Sequence, residues 1–146
     1  MKIIVQDLQY IDEAIRLHDV IFDAHEQSKF NNKEFWTEKI NTGGLFVVAC
    51  GDEGKVIGFT VCDKEDADFK VWICGVHSSA RGKGVWQEMW NAVKLFAKEK
   101  GYTYILLNTF PERYPAMYSF LQKENAEIYK KEETDKGEKY FAKLYI

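Results

Sequence analysis

Four residues in a row, Arg81-Gly82-Lys83-Gly84, carry the chemistry most worth following in this chain. The apolar run from Phe69 to Val76 precedes them and reads as a buried strand, rich in β-branched and aromatic residues. After them, Val85, Trp86, Met89, Trp90, Ala92, Val93, Phe96 and Ala97 form one broad apolar stripe at helical spacing, predicting a helix over 85–100. Strand, short glycine loop and helix make a natural anion site. The first N–H groups of a helix lack intrahelical partners and lie at the positive end of its dipole. Glycines permit left-handed backbone and close approach, and two cations stand beside them. Such a loop suits a phosphate-bearing ligand. Taken alone, the same residues also read as a solvated strand-to-helix turn.

Two familiar phosphate loops are excluded. Gly75 and Gly82 are separated by six residues where a P-loop needs four, and Lys83 is followed by Gly84. A dinucleotide fingerprint would place a third glycine at position 87, which is Gln87. Instead the stretch Val76-His77-Ser78-Ser79-Ala80-Arg81-Gly82-Lys83-Gly84 resembles the acetyl-CoA motif of the GNAT superfamily of N-acetyltransferases, Val-x-Pro-x-x-Arg-Gly-x-Gly, with Ser78 in the proline slot.

The elements that must position this loop follow from the rest of the chain. Lys2 to Gln6 is a short apolar strand, and Leu8 to His25 reads as a helix with Leu8, Ile11, Ile15, His18 and Phe22 on one face. His18 there is either a base or a satisfied core histidine, and the core reading is preferred. Asn32 caps a second helix carrying Phe35, Trp36 and Ile40. Leu45–Cys50 and Val56–Cys62 form a hairpin around Asp52-Glu53-Gly54-Lys55. Tyr102 to Thr109 is a strand parallel to 69–76. Pro115 opens a short helix over 116–124. A final hairpin joins 126–131 to 139–146 across a polar segment. The order is βααβββαβαββ, an α/β (α+β) single domain over 1–146 with a mixed central sheet, and it is similar to the GNAT fold from end to end.

Composition narrows the classes. Of the 146 residues, 46% are apolar and 29% charged, ordinary for a soluble globular domain large enough to bury a core. A net charge of −3 without a basic face argues against nucleic acid. No charged-then-apolar leader and no long apolar run occur, so the cytoplasm is expected and no membrane partner is. Cys50, Cys62 and Cys74 are an odd count, suiting a reducing compartment. Strand pairing places Cys50 and Cys74 both opposite Ile57. Two strands apart, at roughly 9–10 Å, they form neither a disulfide nor a zinc site and read as buried small hydrophobes.

The resemblance implies more than the residues alone. Acetyl-CoA would be the co-substrate, without metal. The backbone of Gly75 and Val76 would bond its pantetheine arm, between two splayed parallel strands. Arg81, Gly82, Lys83, Gly84, Val85 and Trp86 would hold its pyrophosphate. A neutral amine, on a small molecule or peptide, would attack the thioester directly; a homodimer is left open. The chain departs from the family at several positions. Trp86 stands where the family has Gly or Ala, and its ring either overhangs the loop or points into the core, the reading its place in the apolar stripe favours. Leu121 occupies the slot of the tyrosine that protonates the leaving thiolate, Tyr114 the asparagine slot and Asn125 the glycine slot. Asn tolerates left-handed backbone. Tyr118, one turn before Leu121, is the candidate catalytic acid, or else a core tyrosine with a hydrogen-bonded tip. Acceptor contacts are expected between Phe22 and Trp36, where Asp23, Glu26, Phe30 and Glu34 also lie. The rival to an N-acetyltransferase is a catalytically silent GNAT-fold module that binds CoA or a partner.

Overall fold

The computed structural model describes all residues, Met1–Ile146. Its elements run β1 (Lys2–Val5), α1 (Ile11–Ile21), α2 (Lys33–Asn41), β2 (Leu45–Cys50), β3 (Val56–Glu65), β4 (Asp68–Val76), α3 (Val85–Glu99), β5 (Tyr104–Thr109), α4 (Pro115–Lys123), β6 (Glu127–Thr134) and β7 (Gly137–Tyr145). This is the expected βααβββαβαββ order. The strands form one mixed sheet in the order β1-β2-β3-β4-β5-β7-β6.

Helices cover both faces of the central strands, which is why β2 is buried at every position and reads as a continuous apolar run. Its alternate residues feed two cores. Leu45, Val47 and Ala49 meet Met89, Trp90, Val93 and Ala97 of α3. Phe46, Val48 and Cys50 meet Ile11, Ala14 and Leu17 of α1 with Trp36 and Ile40 of α2. Each fully buried Val, Leu, Ile, Phe or Met among them contributes roughly 1.5–3 kcal/mol.

One pairing positions the site. Strands β4 and β5 are parallel but pair only through Lys70↔Leu106 and Val71↔Leu107. On its other side β4 stays paired with β3 as far as Gly58↔Val76, and β5 with β7 as far as Thr109↔Tyr140. Beyond Val71 and Leu107 the two strands therefore diverge, leaving their facing edges unpaired. A β-bulge accompanies the divergence. Val61 opposes Ile73 while Cys62 opposes Val71, so Trp72 is the extra residue. A bulge bends its strand and increases the local twist. Trp72 is held by stacking on Phe30 at 5.6 Å between ring centroids and by Phe35 at 5.9 Å. Aromatic packing thus fixes the place where the sheet opens.

Several boundaries differ from the sequence-based expectation. The first helix is shorter: Leu8–Tyr10 is a 3-10 turn, with Leu8 36% exposed, and α1 ends at Ile21. Asp23 takes a left-handed conformation, φ +50°, and the chain leaves the helix there. The last hairpin is longer, its polar residues continuing both strands to a tight turn at Asp135 and Lys136. Cys74 pairs with Thr60 instead of Ile57. The β3–β4 turn is centred one residue later than expected, at Asp66 and Ala67, and the bulge at Trp72 adds one more step.

Candidate active site

The glycine loop is built from the end of β4. The His77 N–H donates to Ile57 O at 2.8 Å, and residues Ser78–Ala80 make a 3-10 turn capped by His77 Nδ1, which accepts from the Ser79 N–H at 3.1 Å. Ala80 is buried and anchors the turn. Arg81 Nε donates to Val76 O at 3.1 Å, so the guanidinium is tied to the strand end by one nitrogen. Gly82 and Gly84 have φ of +76° and +79°, with nothing near the position of a Cβ. Backbone conformation, not crowding, therefore requires glycine at both. Gly84 is the N-cap of α3 and supplies no side-chain cap. As a result the N–H groups from Gly82 to Gln87 have no acceptor within the protein. Six successive donors, the start of a helix and two exposed cations are gathered in one short turn, an arrangement suited to a diphosphate.

Trp86 does not overhang this turn. Its ring stacks with Trp90, centroids 6.1 Å apart, and meets Phe120 of α4 edge to face at 5.3 Å. The side chain of Val85 is also buried. At both positions the backbone N–H is the part the loop presents. The Trp86 indole Nε1 is itself buried with no partner.

Gly75 lies on the diverging part of β4. A Cβ there would stand 2.9 Å from Ile21 Cδ1 and 3.1 Å from Phe59 Cε1, so glycine lets the end of α1 come down onto the strand. Next to Ile21, Phe22 meets Tyr114 edge to face with centroids 6.2 Å apart. Tyr114 is the N-cap of α4, in the loop that leaves β5. The contacts Phe22–Tyr114 and Phe30–Trp72 flank the opening between β4 and β5 on its α1–α2 side. Tyr118 is half-buried one turn into α4, edge to face with Tyr140 at 5.4 Å. Leu121 is 1% exposed, inside the α3 core. Asn125 has φ +54°, the left-handed conformation expected of the family's glycine position.

Other expected residues fall elsewhere. Trp36 is fully buried and donates its indole N–H to Phe30 O at 3.0 Å, so it supports the connector and lines no cleft. His18 is 5% exposed, among Phe22, Trp36 and Phe59, with Nδ1 2.9 Å from Asp19 Oδ1, a satisfied core histidine. Asp23 pairs with His25 at 2.9 Å on the open surface, while Glu26 and Glu34 are exposed. Sequence reasoning passed over Trp72, which lies in an apolar run and is revealed as a bulge only by its pairing with β3. Burial pushes the Cys74 thiol up to about 12 and raises Cys62 and Cys50 too; all three are free. No group of three or more His, Cys, Asp or Glu side chains is placed to hold a metal ion, and no helix is long and apolar enough to cross a membrane. Two surface concavities, of about 440 and 410 Å³, lie away from the loop, beside Tyr10 and Cys50 and beside Gly43 and Tyr102.

The family model for the acetyltransferase (GNAT) family matches residues 11–125, which spans the helices, the loop and the divergence just described. The chain belongs to the GNAT acetyltransferase family. No curated protein matches it by sequence. Solved structures share the GNAT fold at low identity. An aminoglycoside 6'-acetyltransferase type Ii superposes with a TM-score of 0.83 at 18% identity, covering 99% of this chain and 97% of that one. A ribosomal-protein-alanine N-acetyltransferase from Brucella melitensis gives 0.82 at 14%, covering 100% of both chains. An aminoglycoside 6'-N-acetyltransferase complexed with coenzyme A gives 0.79 at 15%, covering 99% and 97%. As a GNAT acetyltransferase, the chain has its glycine loop and strand divergence in the elements that the family model spans.

Proposed function

We propose that this GNAT acetyltransferase moves an acetyl group from acetyl-CoA to a primary amine. The six unpartnered N–H groups from Gly82 to Gln87 carry the reading, because a diphosphate satisfies them together. Arg81 and Lys83 add charge at the same turn. The unpaired edge of β4 from Trp72 to Val76, including Gly75 and Val76, supplies backbone groups for the amide-bearing arm. Acetyl-CoA supplies the activated acyl group: the amine lone pair forms the N–C bond, the C–S bond breaks, and the sulfur leaves with that electron pair.

The chain's own residues then hold and move the parts. The loop fixes the diphosphate end, and the diverging strands orient the arm between them. Phe22, Phe30, Trp72 and Tyr114 give the amine side an aromatic rim. Tyr118 donates a proton to the leaving sulfur, a phenol being a reasonable acid toward a thiolate. The amine gives up its surplus proton to water. A CoA-binding module without turnover draws on one observation, the burial of Leu121 in the family's proton-donor slot. Thiol release from acetyl-CoA across a panel of primary amines separates the two. Release that depends on amine supports transfer, whereas CoA binding without release from any amine supports the silent module.

A further inference from the structure

We infer that the acceptor is a primary amine carried on a flat aromatic group, and not a polycation. The inference rests on the acetyl-transfer reading and names the acceptor class of that site. Its basis is a row of aromatic rings that is open to solvent at both ends. Phe22 and Tyr114 at one end are 36% and 38% exposed, and Phe30 at the other is 38% exposed. Exposed apolar clusters of this kind mark binding grooves. Between the ends the row is continuous. Tyr114 meets Phe22 with centroids 6.2 Å apart, Phe22 meets His18 at 4.9 Å, and His18 meets Trp36 at 6.3 Å. Trp36 meets Trp72 at 6.5 Å, and Trp72 meets Phe30 at 5.6 Å. The two ends stand beside Trp72 and Gly75, both on the part of β4 that lies beyond its pairing with β5. Those positions are three residues apart on the strand, about 10 Å. An acceptor entering along that stretch meets aromatic surface at either end.

The connector between α1 and α2 is held by polar bonds that do not use the Phe30 ring. Ser28 and Asn31 cap each other, Asn31 Nδ2 donates to Asp19 Oδ1 at 3.1 Å and to Glu26 O at 3.0 Å, and the Trp36 indole reaches the main-chain oxygen of Phe30. The charges at the rings are positive. Lys29 Nζ stands 5.1 Å from the Phe30 centroid, and Lys39 Nζ stands 4.8 Å from that of Trp72 and 5.1 Å from that of Phe35. Cation–π contact is therefore already taken at this end of the row. Nearby carboxylates are engaged too. Asp63 holds Lys39 at 2.8 Å, Asp19 is bonded to His18 and Asn31, and Asp23 pairs with His25. Glu26 and Glu34 remain, both exposed. A polycation thus finds two lysines at the rings and two solvated carboxylates, whose attraction in water is weak. An aromatic group gains burial and ring-to-ring contact instead.

The test measures thiol release from acetyl-CoA with 2-phenylethylamine, propylamine, spermidine, an aminoglycoside and a lysine-bearing peptide. Wild type is compared with Phe30→Ala and Phe30→Leu, alongside melting temperature and CoA affinity by titration calorimetry. Expected in wild type is a kcat/KM for 2-phenylethylamine at least about tenfold above those for propylamine and the polycations. Phe30→Ala should reduce that preference with CoA affinity unchanged, and Phe30→Leu, which keeps an apolar side chain, should fall between. A higher kcat/KM with spermidine, the aminoglycoside or the peptide would overturn the acceptor class while leaving acetyl transfer standing. Equal values for propylamine and 2-phenylethylamine would do the same. An aromatic preference undiminished in both Phe30 variants would overturn the assignment of this row. Wild type that binds CoA but releases no thiol with any amine would overturn the transfer reading and this inference with it.

Discussion

Trp86 and Phe120 meet edge to face, ring centroids 5.3 Å apart, and the contact pins the first turn of α3 to the middle of α4. Trp90 reinforces the seam by donating its indole N–H to Glu124 Oε1 at 2.9 Å. The ring of Trp86 therefore fills the space between two helices and leaves the glycine loop open. Trp86→Ala should cost about 3 kcal/mol of unfolding free energy through the cavity it leaves. Trp86→Phe should keep most of that packing. CoA affinity should be unchanged in Trp86→Phe, because the loop presents only the backbone N–H at this position while the ring packs on Trp90 and Phe120. Denaturant unfolding and CoA titration on both variants check this. A Trp86→Ala protein as stable as wild type that binds CoA much more tightly would contradict the inward orientation.

Tyr118 is half-buried against Tyr140, one turn before Leu121, which is buried in the core. Tyr118→Phe should lower turnover about 10²–10⁴-fold with CoA affinity kept, if the phenol is the acid. Moving the phenol to position 121 should fail. Leu121→Tyr would overpack a full core and cost about 1–3 kcal/mol. Steady-state kinetics and thermal melts distinguish the two effects, and full activity in Tyr118→Phe would return that residue to a packing role against Tyr140.

Asn125 ends α4 with φ +54°. Asn125→Gly should leave the protein equally stable or raise its stability by up to about 1 kcal/mol, because glycine adopts this backbone without a Cβ penalty. Asn125→Ala should lower stability by roughly 1 kcal/mol, alanine being strained in the left-handed region. Equal stability of all three proteins in urea would contradict the strain argument.

Burial holds the Cys74 thiol at about 12 and raises Cys62 as well. A thiol whose pKa is higher folded than unfolded stabilises the fold fully below its unfolded value, near 9. That contribution is lost as pH rises toward 12, since the unfolded chain sheds its protons first. Stability should therefore decline across this window, and less steeply in Cys74→Ala. Native protein at pH 8 should also resist iodoacetamide at all three cysteines. Rapid alkylation without unfolding would contradict the burial argument.

Much of this was legible in the chain because local chemistry and fold agree. The apolar stripe from Val85 to Ala97, the cap at Asn32 and the glycine pair at 82 and 84 each specify one conformation and take it. The orientation of Trp86 followed from helical period alone. What the sequence hides is long-range pairing. The bulge at Trp72 breaks no local rule, yet it shifts the partner of Cys74 and marks the place where β4 leaves β5. Trp36 reads as a cleft residue from its neighbours, but its indole N–H reaches Phe30 O and the ring closes the second core.

The central claim is that the Arg81–Trp86 loop binds the diphosphate of CoA, and isothermal titration with CoA tests it most directly. The account predicts saturable binding by wild type. Stabilisation should reach about 2.7 kcal/mol when the ligand stands at 100 times its dissociation constant. Affinity should be weaker in Arg81→Ala, with a larger difference at low salt than at high. No binding heat and no thermal shift at millimolar CoA or acetyl-CoA would contradict the assignment of the loop.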